Sequence, residues 1–89
     1  MVYLIVVYDV QADRTARLRK PLRQYLTHVQ NSVFEGRITA GQADDLESLI
    51  RDRVRDSEGE SAIIYQLGSE AVINRVAVGE DPSEDEQFL

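Results

Sequence analysis

The sequence of 89 residues contains no cysteine, which excludes disulfides, thiolate metal ligands and a cysteine nucleophile. Histidine occurs once, as His28, and a lone imidazole without a placed partner reads as structural rather than as a general base. Long apolar runs are missing too. The longest, "VYLIVVY" at residues 2 to 8, falls far short of the roughly 20 residues that a membrane span needs. No basic-then-apolar leader opens the sequence, and neither an internal repeat nor a linker interrupts it. These absences lead to the expectation of a cytoplasmic protein without a membrane partner. Eighty-nine residues leave no room for two cores, and a chain this short is marginal alone.

Positive charge is scarce overall, with a net charge of −6, and that argues against a nucleic-acid partner. Its distribution argues otherwise. Residues 1 to 37 hold six basic groups against three acidic ones, a balance of +3, whereas residues 38 to 89 hold four against thirteen, a balance of −9. Nine of the ten basic residues are arginine, the side chain suited to bidentate phosphate contacts. Arg14, Arg17, Arg19, Lys20 and Arg23 crowd one short segment and are the candidate nucleic-acid contacts. A solvated helix face is the alternative for them. For the acidic half the alternative is a salt-adapted or GC-rich source.

The apolar run reads as a strand, and its lack of alternation requires cover on both faces. In the segment after it, Leu18, Leu22, Tyr25 and Leu26 fall at helical spacing, with Asp13 as the expected N-cap. Pro21 lies inside that pattern, where it removes the bond to the Arg17 carbonyl, so a kink is expected there. "HVQNSVFEGRI" reads as extended, divided by a bend at "NS", with Gly36 marking a bulge. "TAGQ" is a capping box, Thr39 with Gln42. It opens a second helix whose stripe is Ala43, Leu46, Leu49, Ile50 and Val54, and which "DSEGE" ends. "SAIIYQL" and "AVINRVAVG" are strands, and "EDPSEDEQFL" is an acidic tail too polar to fold alone. The order predicts an α+β, ferredoxin-like βαββαβ sandwich over residues 1–79 with an extra C-terminal strand, followed by a tail over 80–89.

Two helices cannot cover both faces of such a sheet. The apolar face left over predicts a homodimer packed through sheet faces. Alternation puts Ile5, Val7 and Asp9 on one face and Leu4, Val6 and Tyr8 on the other. If the Asp9 face is the dimer face, a twofold axis brings two carboxylates together, and two like charges there need a shared proton or a cation. A hard divalent ion, Mg²⁺ or else Mn²⁺, suits such oxygen ligands. The alternative is that Asp9 is a turn or capping residue.

The sequence also resembles the CRISPR-associated protein 2 family. The resemblance rests on Tyr8-Asp9-Val10 at the end of the first strand and an arginine-rich helix. It rests further on Val29, Gln30, Ser32, Val33, Phe34 and Glu35, with "SAIIYQL" as a third matching block. It covers about residues 1 to 79. It implies the ferredoxin-like fold and a homodimer in which the aspartates face each other. It also implies metal-dependent cleavage of phosphodiester bonds in RNA or duplex DNA, and a partner, the larger CRISPR integrase, with which the dimer captures spacers. Asp9 carries over as the metal ligand and catalytic carboxylate. Tyr8, Arg17 and Phe34 carry over as its catalytic neighbours, Phe34 with a core role as the alternative.

A single reliably placed carboxylate per chain predicts slow cleavage. A second function class is therefore a non-catalytic dimeric scaffold that holds integrase subunits on duplex DNA. A third is a regulatory or toxin-like dimer without nucleic acid. In the tail, Phe88 and Leu89 are expected to add an edge contact to a neighbour.

Overall fold

The run of β-branched and aromatic side chains forms strand β1 (Val2–Asp9), the middle of the sheet. The structure, a computed structural model, describes residues 1–55, 59–68 and 72–79. The acidic tail at 80–89 and the "DSE" of the helix exit lie outside the described residues. After β1 comes a 3-10 turn, Ala12–Arg14, and helix α1 (Thr15–Leu22). Strands β2 (Thr27–Gln30) and β3 (Val33–Ile38), helix α2 (Ala40–Arg53), and strands β4 (Ser61–Leu67) and β5 (Val72–Gly79) follow. The sheet order is β2-β3-β1-β4-β5, and every pairing is antiparallel. This is the expected ferredoxin-like sandwich with the fifth strand added beside β4. No helix among the described residues is long and apolar enough to cross a membrane.

Leu4, Val6 and Tyr8 of β1 point inward and meet Leu18, Leu22, Phe34, Leu46 and Ile50, all buried. The inward stripe of α2 is Leu46 and Ile50, with Ala43, Leu49 and Val54 packed against the cluster. Its N-terminus carries the full capping box, Thr39 with Gln42, which satisfies two backbone donors that would otherwise lack partners.

Three local expectations need correction. Asp13 is not an N-cap: it sits inside the 3-10 turn, and Gln11 precedes that turn without a side-chain cap. Pro21 does not kink a longer helix but falls in its last turn, because α1 stops at Leu22. The carbonyl of Arg17 that proline leaves without its helical donor accepts instead from Arg53 Nη1 at 3.0 Å, which fastens the exit of α2 to α1. Leu26 still reaches the core, on a turn closed by its N–H to the Leu22 carbonyl at 2.8 Å. Gly36 marks no bulge, since it pairs in regular register with Leu4. A Cβ there would stand 3.2 Å from Leu26 Cδ2, so the glycine makes room for that leucine. The irregularity lies in β2 between His28 and Gln30, where Val29 turns outward. The "NS" bend is present as expected: Asn31 takes a positive φ of 34°, a conformation that asparagine tolerates.

Candidate functional site

Asp9 is the last residue of β1, exposed, and in register with Ser61 of β4. It continues the face of Ile5 and Val7, away from the helices. Val7 stands opposite Val33 and Ile63, and Ile5 stands between Glu35 and Tyr65. These residues are half-buried, and nothing among the described residues packs over them. The result is an apolar stripe with a polar rim. At the rim, partial burial and the neighbouring Glu35 carboxylate raise the Tyr3 phenol above its ordinary 10.0, and the Arg75 guanidinium lies 5.9 Å from the Tyr65 ring centre.

Asp9 supplies hard carboxylate oxygens of the kind that Mg²⁺ prefers. Among the described residues, however, no three His, Cys, Asp or Glu side chains come together to hold a metal. One carboxylate supplies a small part of a divalent ion's coordination, and the rest would fall to water, substrate phosphate or a second copy of the chain.

Tyr8 and Phe34 do not join Asp9 on its face. Tyr8 is buried on the helix side, where its hydroxyl accepts from Arg19 Nε at 3.0 Å. Phe34 has no exposed surface. Its ring stacks on His28 with centroids 4.7 Å apart and tilts against Tyr8 at 6.2 Å. A side chain closed off in this way cannot stack on a base, so both rings are core residues here. His28 is structural as well, with Nε2 2.7 Å from the Asn31 carbonyl oxygen.

The basic segment divides. Arg17, Lys20 and Arg23 are exposed on the outer side of α1. Arg19 is half-buried and donates to Tyr8 and to the Asn31 carbonyl, the latter at 3.3 Å. Along this surface runs an open groove of about 520 Å³ lined by Ala12, Thr15, Ala16, Arg19, Lys20 and Arg23. Small side chains between three cations suit a phosphodiester backbone, which is bound largely by charge.

Arg14 does not belong to that surface. Four residues before Leu18 and eight before Leu22, it lies on the inward stripe. Its Nε donates to Glu60 Oε2 at 2.6 Å, and its Nη2 donates to Glu60 Oε1 at 3.1 Å and to the Arg53 carbonyl at 3.0 Å. Glu60 is only 1% exposed, and a guanidinium engaged in neutralising it is not on offer to phosphate. Hydrogen bonds from Arg14 hold the Glu60 carboxyl below the usual carboxylate range against the opposing effect of burial, with help from the N–H groups of Arg55 and Gln11. The sequence reading missed Glu60 because it lies in the polar stretch "DSEGE". A signal existed: an arginine at an inward helical position needs an acid, and Glu60 immediately precedes an apolar strand.

The model of the family described as "CRISPR associated protein Cas2" matches residues 1–74. The chain belongs to the Cas2 family. A protein of Methanothermobacter thermautotrophicus named CRISPR-associated endoribonuclease Cas2 is 44% identical over 82 residues, 92% of this chain and 89% of the relative. One of Thermococcus kodakarensis with the same name is 41% identical over 83 residues, 93% of this chain and 96% of the relative. A crystal structure titled as that of cas2 matches with a TM-score of 0.70 at 38% identity, covering 99% of this chain and 98% of the other. The structure of Streptococcus pyogenes Cas2 at pH 6.5 matches with a TM-score of 0.66 at 27% identity, covering 76% and 88%. The three blocks that carry the resemblance to this family take clear places in the fold, "SAIIYQL" being strand β4. Tyr8-Asp9 closes the central strand, and Val29 to Glu35 is the β2–β3 hairpin with its Asn31 turn.

Proposed function

We propose that this chain is a metal-dependent endonuclease of CRISPR adaptation, working as a homodimer packed through the sheet faces turned away from the helices and cleaving phosphodiester bonds of RNA or duplex DNA beside the larger CRISPR integrase. The observation that carries the reading is the position of Asp9, an exposed carboxylate at the end of an apolar sheet face over which no described residue packs. A second copy placed on Ile5, Val7, Val33 and Ile63 removes that surface from water, at roughly 25 cal/mol per Å². The same twofold axis brings a second Asp9 to the first and completes a hard-oxygen site.

The two Asp9 carboxylates would hold a divalent ion, which would supply activation of water and neutralisation of charge on the attacked phosphate. The chain's own residues do the rest. Asp9 stands in solvent, where a phosphodiester can approach it. Lys20 and Arg23, with Arg17 exposed on the same helix, hold the nucleic-acid backbone, and the fixed Arg19 lines their groove. Backbone contacts of this kind position a strand without reading bases. The nuclease names of the relatives point the same way.

The small donor set favours a second reading alongside the first, a scaffold that holds integrase subunits on duplex DNA with little cleavage of its own. Asp9→Ala tests both. The nuclease reading expects loss of Mg²⁺-dependent cleavage of labelled RNA or duplex DNA with binding intact. If spacer capture survives in that variant, the scaffold role is the one that matters. If cleavage survives, Asp9 is not the catalytic carboxylate. Lys20→Glu with Arg23→Glu should weaken binding at least about tenfold and reduce the salt slope by about two.

A further inference from the structure

Glu60 joins three segments of the chain, adding to the bonds that Arg14 and Arg53 make between the two helices. Its Oε2 accepts from the Gln11 N–H at 3.4 Å and from Arg14 Nε at 2.6 Å. Its Oε1 accepts from Arg14 Nη2 at 3.1 Å and from the Arg55 N–H at 3.0 Å. Its own N–H donates to the Arg55 carbonyl at 3.1 Å. The β1–α1 connection, the start of α1 and the exit of α2 are thus all fastened to one carboxylate.

Those attachments flank Asp9. Gln11 is two residues beyond it in the chain. Ser61, the residue after Glu60, is its register partner across β1 and β4. On the far side Ser61 pairs with Gly79 of β5, whose φ is +83° and where any Cβ would collide with the Glu60 carbonyl oxygen. The backbone around Glu60 is therefore hemmed in on the side away from Asp9, while its side chain holds the segment that leaves Asp9. The basic helix is tied to the same point, through Arg14 at its start.

We propose that Glu60 is a positioning residue for Asp9: held by Arg14, it fixes the backbone on both sides of that aspartate, and so sets where the carboxylate stands relative to its twin and to the nucleic acid on α1. Glu60 touches neither substrate nor metal. The inference rests on the reading that two Asp9 side chains meet across a dimer, and it names what holds them in place. A merely structural role would lower the folded fraction and all activities in proportion. A positioning role separates turnover from binding.

Glu60→Gln keeps the shape of the side chain but places an amide NH₂ against N–H donors, so one end of the fastening is lost. In the folded variant we expect kcat for Mg²⁺-dependent cleavage of a labelled RNA or duplex DNA to fall at least tenfold, with nucleic-acid affinity and KM within twofold of the parent. A second readout needs no activity. The chain has no cysteine, so Asp9→Cys introduces a single thiol, and a short bis-maleimide reports how closely the two thiols approach. Covalent dimer should form at least fivefold more slowly in Glu60→Gln/Asp9→Cys than in Asp9→Cys alone. If Glu60→Gln does not fold, Arg14→Lys, which keeps the charge and loses the two-pronged contact, carries the same measurements with a smaller effect in the same direction. Cross-linking and kcat both within twofold of the parent, in a folded dimer, overturn the positioning role and leave the dimeric nuclease standing. No cross-link in Asp9→Cys alone removes the dimer reading, and this inference with it.

Discussion

Phe34 offers a sharp contrast between two roles for one side chain. Its ring is fully buried between His28, Tyr8 and the core side chains of both helices. Truncation to alanine would cost about 3–5 kcal/mol. A domain of 89 residues is stable by only about 4–13 kcal/mol at ~0.05–0.15 kcal/mol per residue, so that variant risks unfolding. Phe34→Leu is the informative change. It leaves a partial cavity and removes two ring contacts worth about 0.5–1.5 kcal/mol each, for a total loss near 2 kcal/mol. For a domain of this size such a loss lowers Tm by about 8–16 °C. Urea and thermal denaturation followed by circular dichroism measure the stability, and fluorescence anisotropy of a labelled strand at fixed salt measures binding. A core ring predicts the stability loss with affinity within twofold of the parent. A base-stacking ring predicts the reverse, little change in stability and an affinity loss of about 1–3 kcal/mol per base. The second pattern would refute the placement of Phe34 in the core.

The Glu60 carboxyl is held below its ordinary value of 4.5 in the folded chain, so the stability it contributes is complete above that value and is lost as pH falls through the lower folded one. Glu60→Gln should therefore flatten the acid limb of the stability–pH curve while lowering the plateau at neutral pH, as read from urea midpoints at a series of pH values. An unchanged acid limb would show that Glu60 is not held in this way. Gly79→Ala meets both a positive φ and the Glu60 carbonyl, so a loss of about 3 kcal/mol or more is expected in the same denaturation assay. A loss below about 1 kcal/mol would mean that β5 does not press on Glu60.

Much of the fold was legible because its signals are local. Seven apolar residues in a row specify a central strand, Thr39 and Gln42 announce a helix start, and Asn31-Ser32 announces a turn. What was not legible depends on partners distant in sequence. Gly36 read as a bulge because nothing near it in the chain shows that Leu26 packs on it. Pro21 read as a kink because a proline specifies where a helix bond is lost, not whether the helix continues. At the site, alternation along β1 placed Asp9 and Tyr8 on opposite faces correctly, and the structure keeps them there. The basic cluster was read by composition, which cannot separate the outward Lys20 and Arg23 from the inward Arg14. Helical spacing from Leu18 and Leu22 separates them at once. Glu60 was hidden because a buried acid in a polar stretch looks like any other surface acid until its arginine is found 46 residues away.

The proximity of two Asp9 side chains can be tested in solution by treating Asp9→Cys with a short bis-maleimide and running sedimentation equilibrium on the same sample. A protein dimeric by sedimentation should convert largely to covalent dimer, while Gln42→Cys at the exposed start of α2, on the helix layer, should not. A monomer, or a dimer joined by Gln42→Cys and not by Asp9→Cys, would contradict the sheet-face pairing on which the shared site depends.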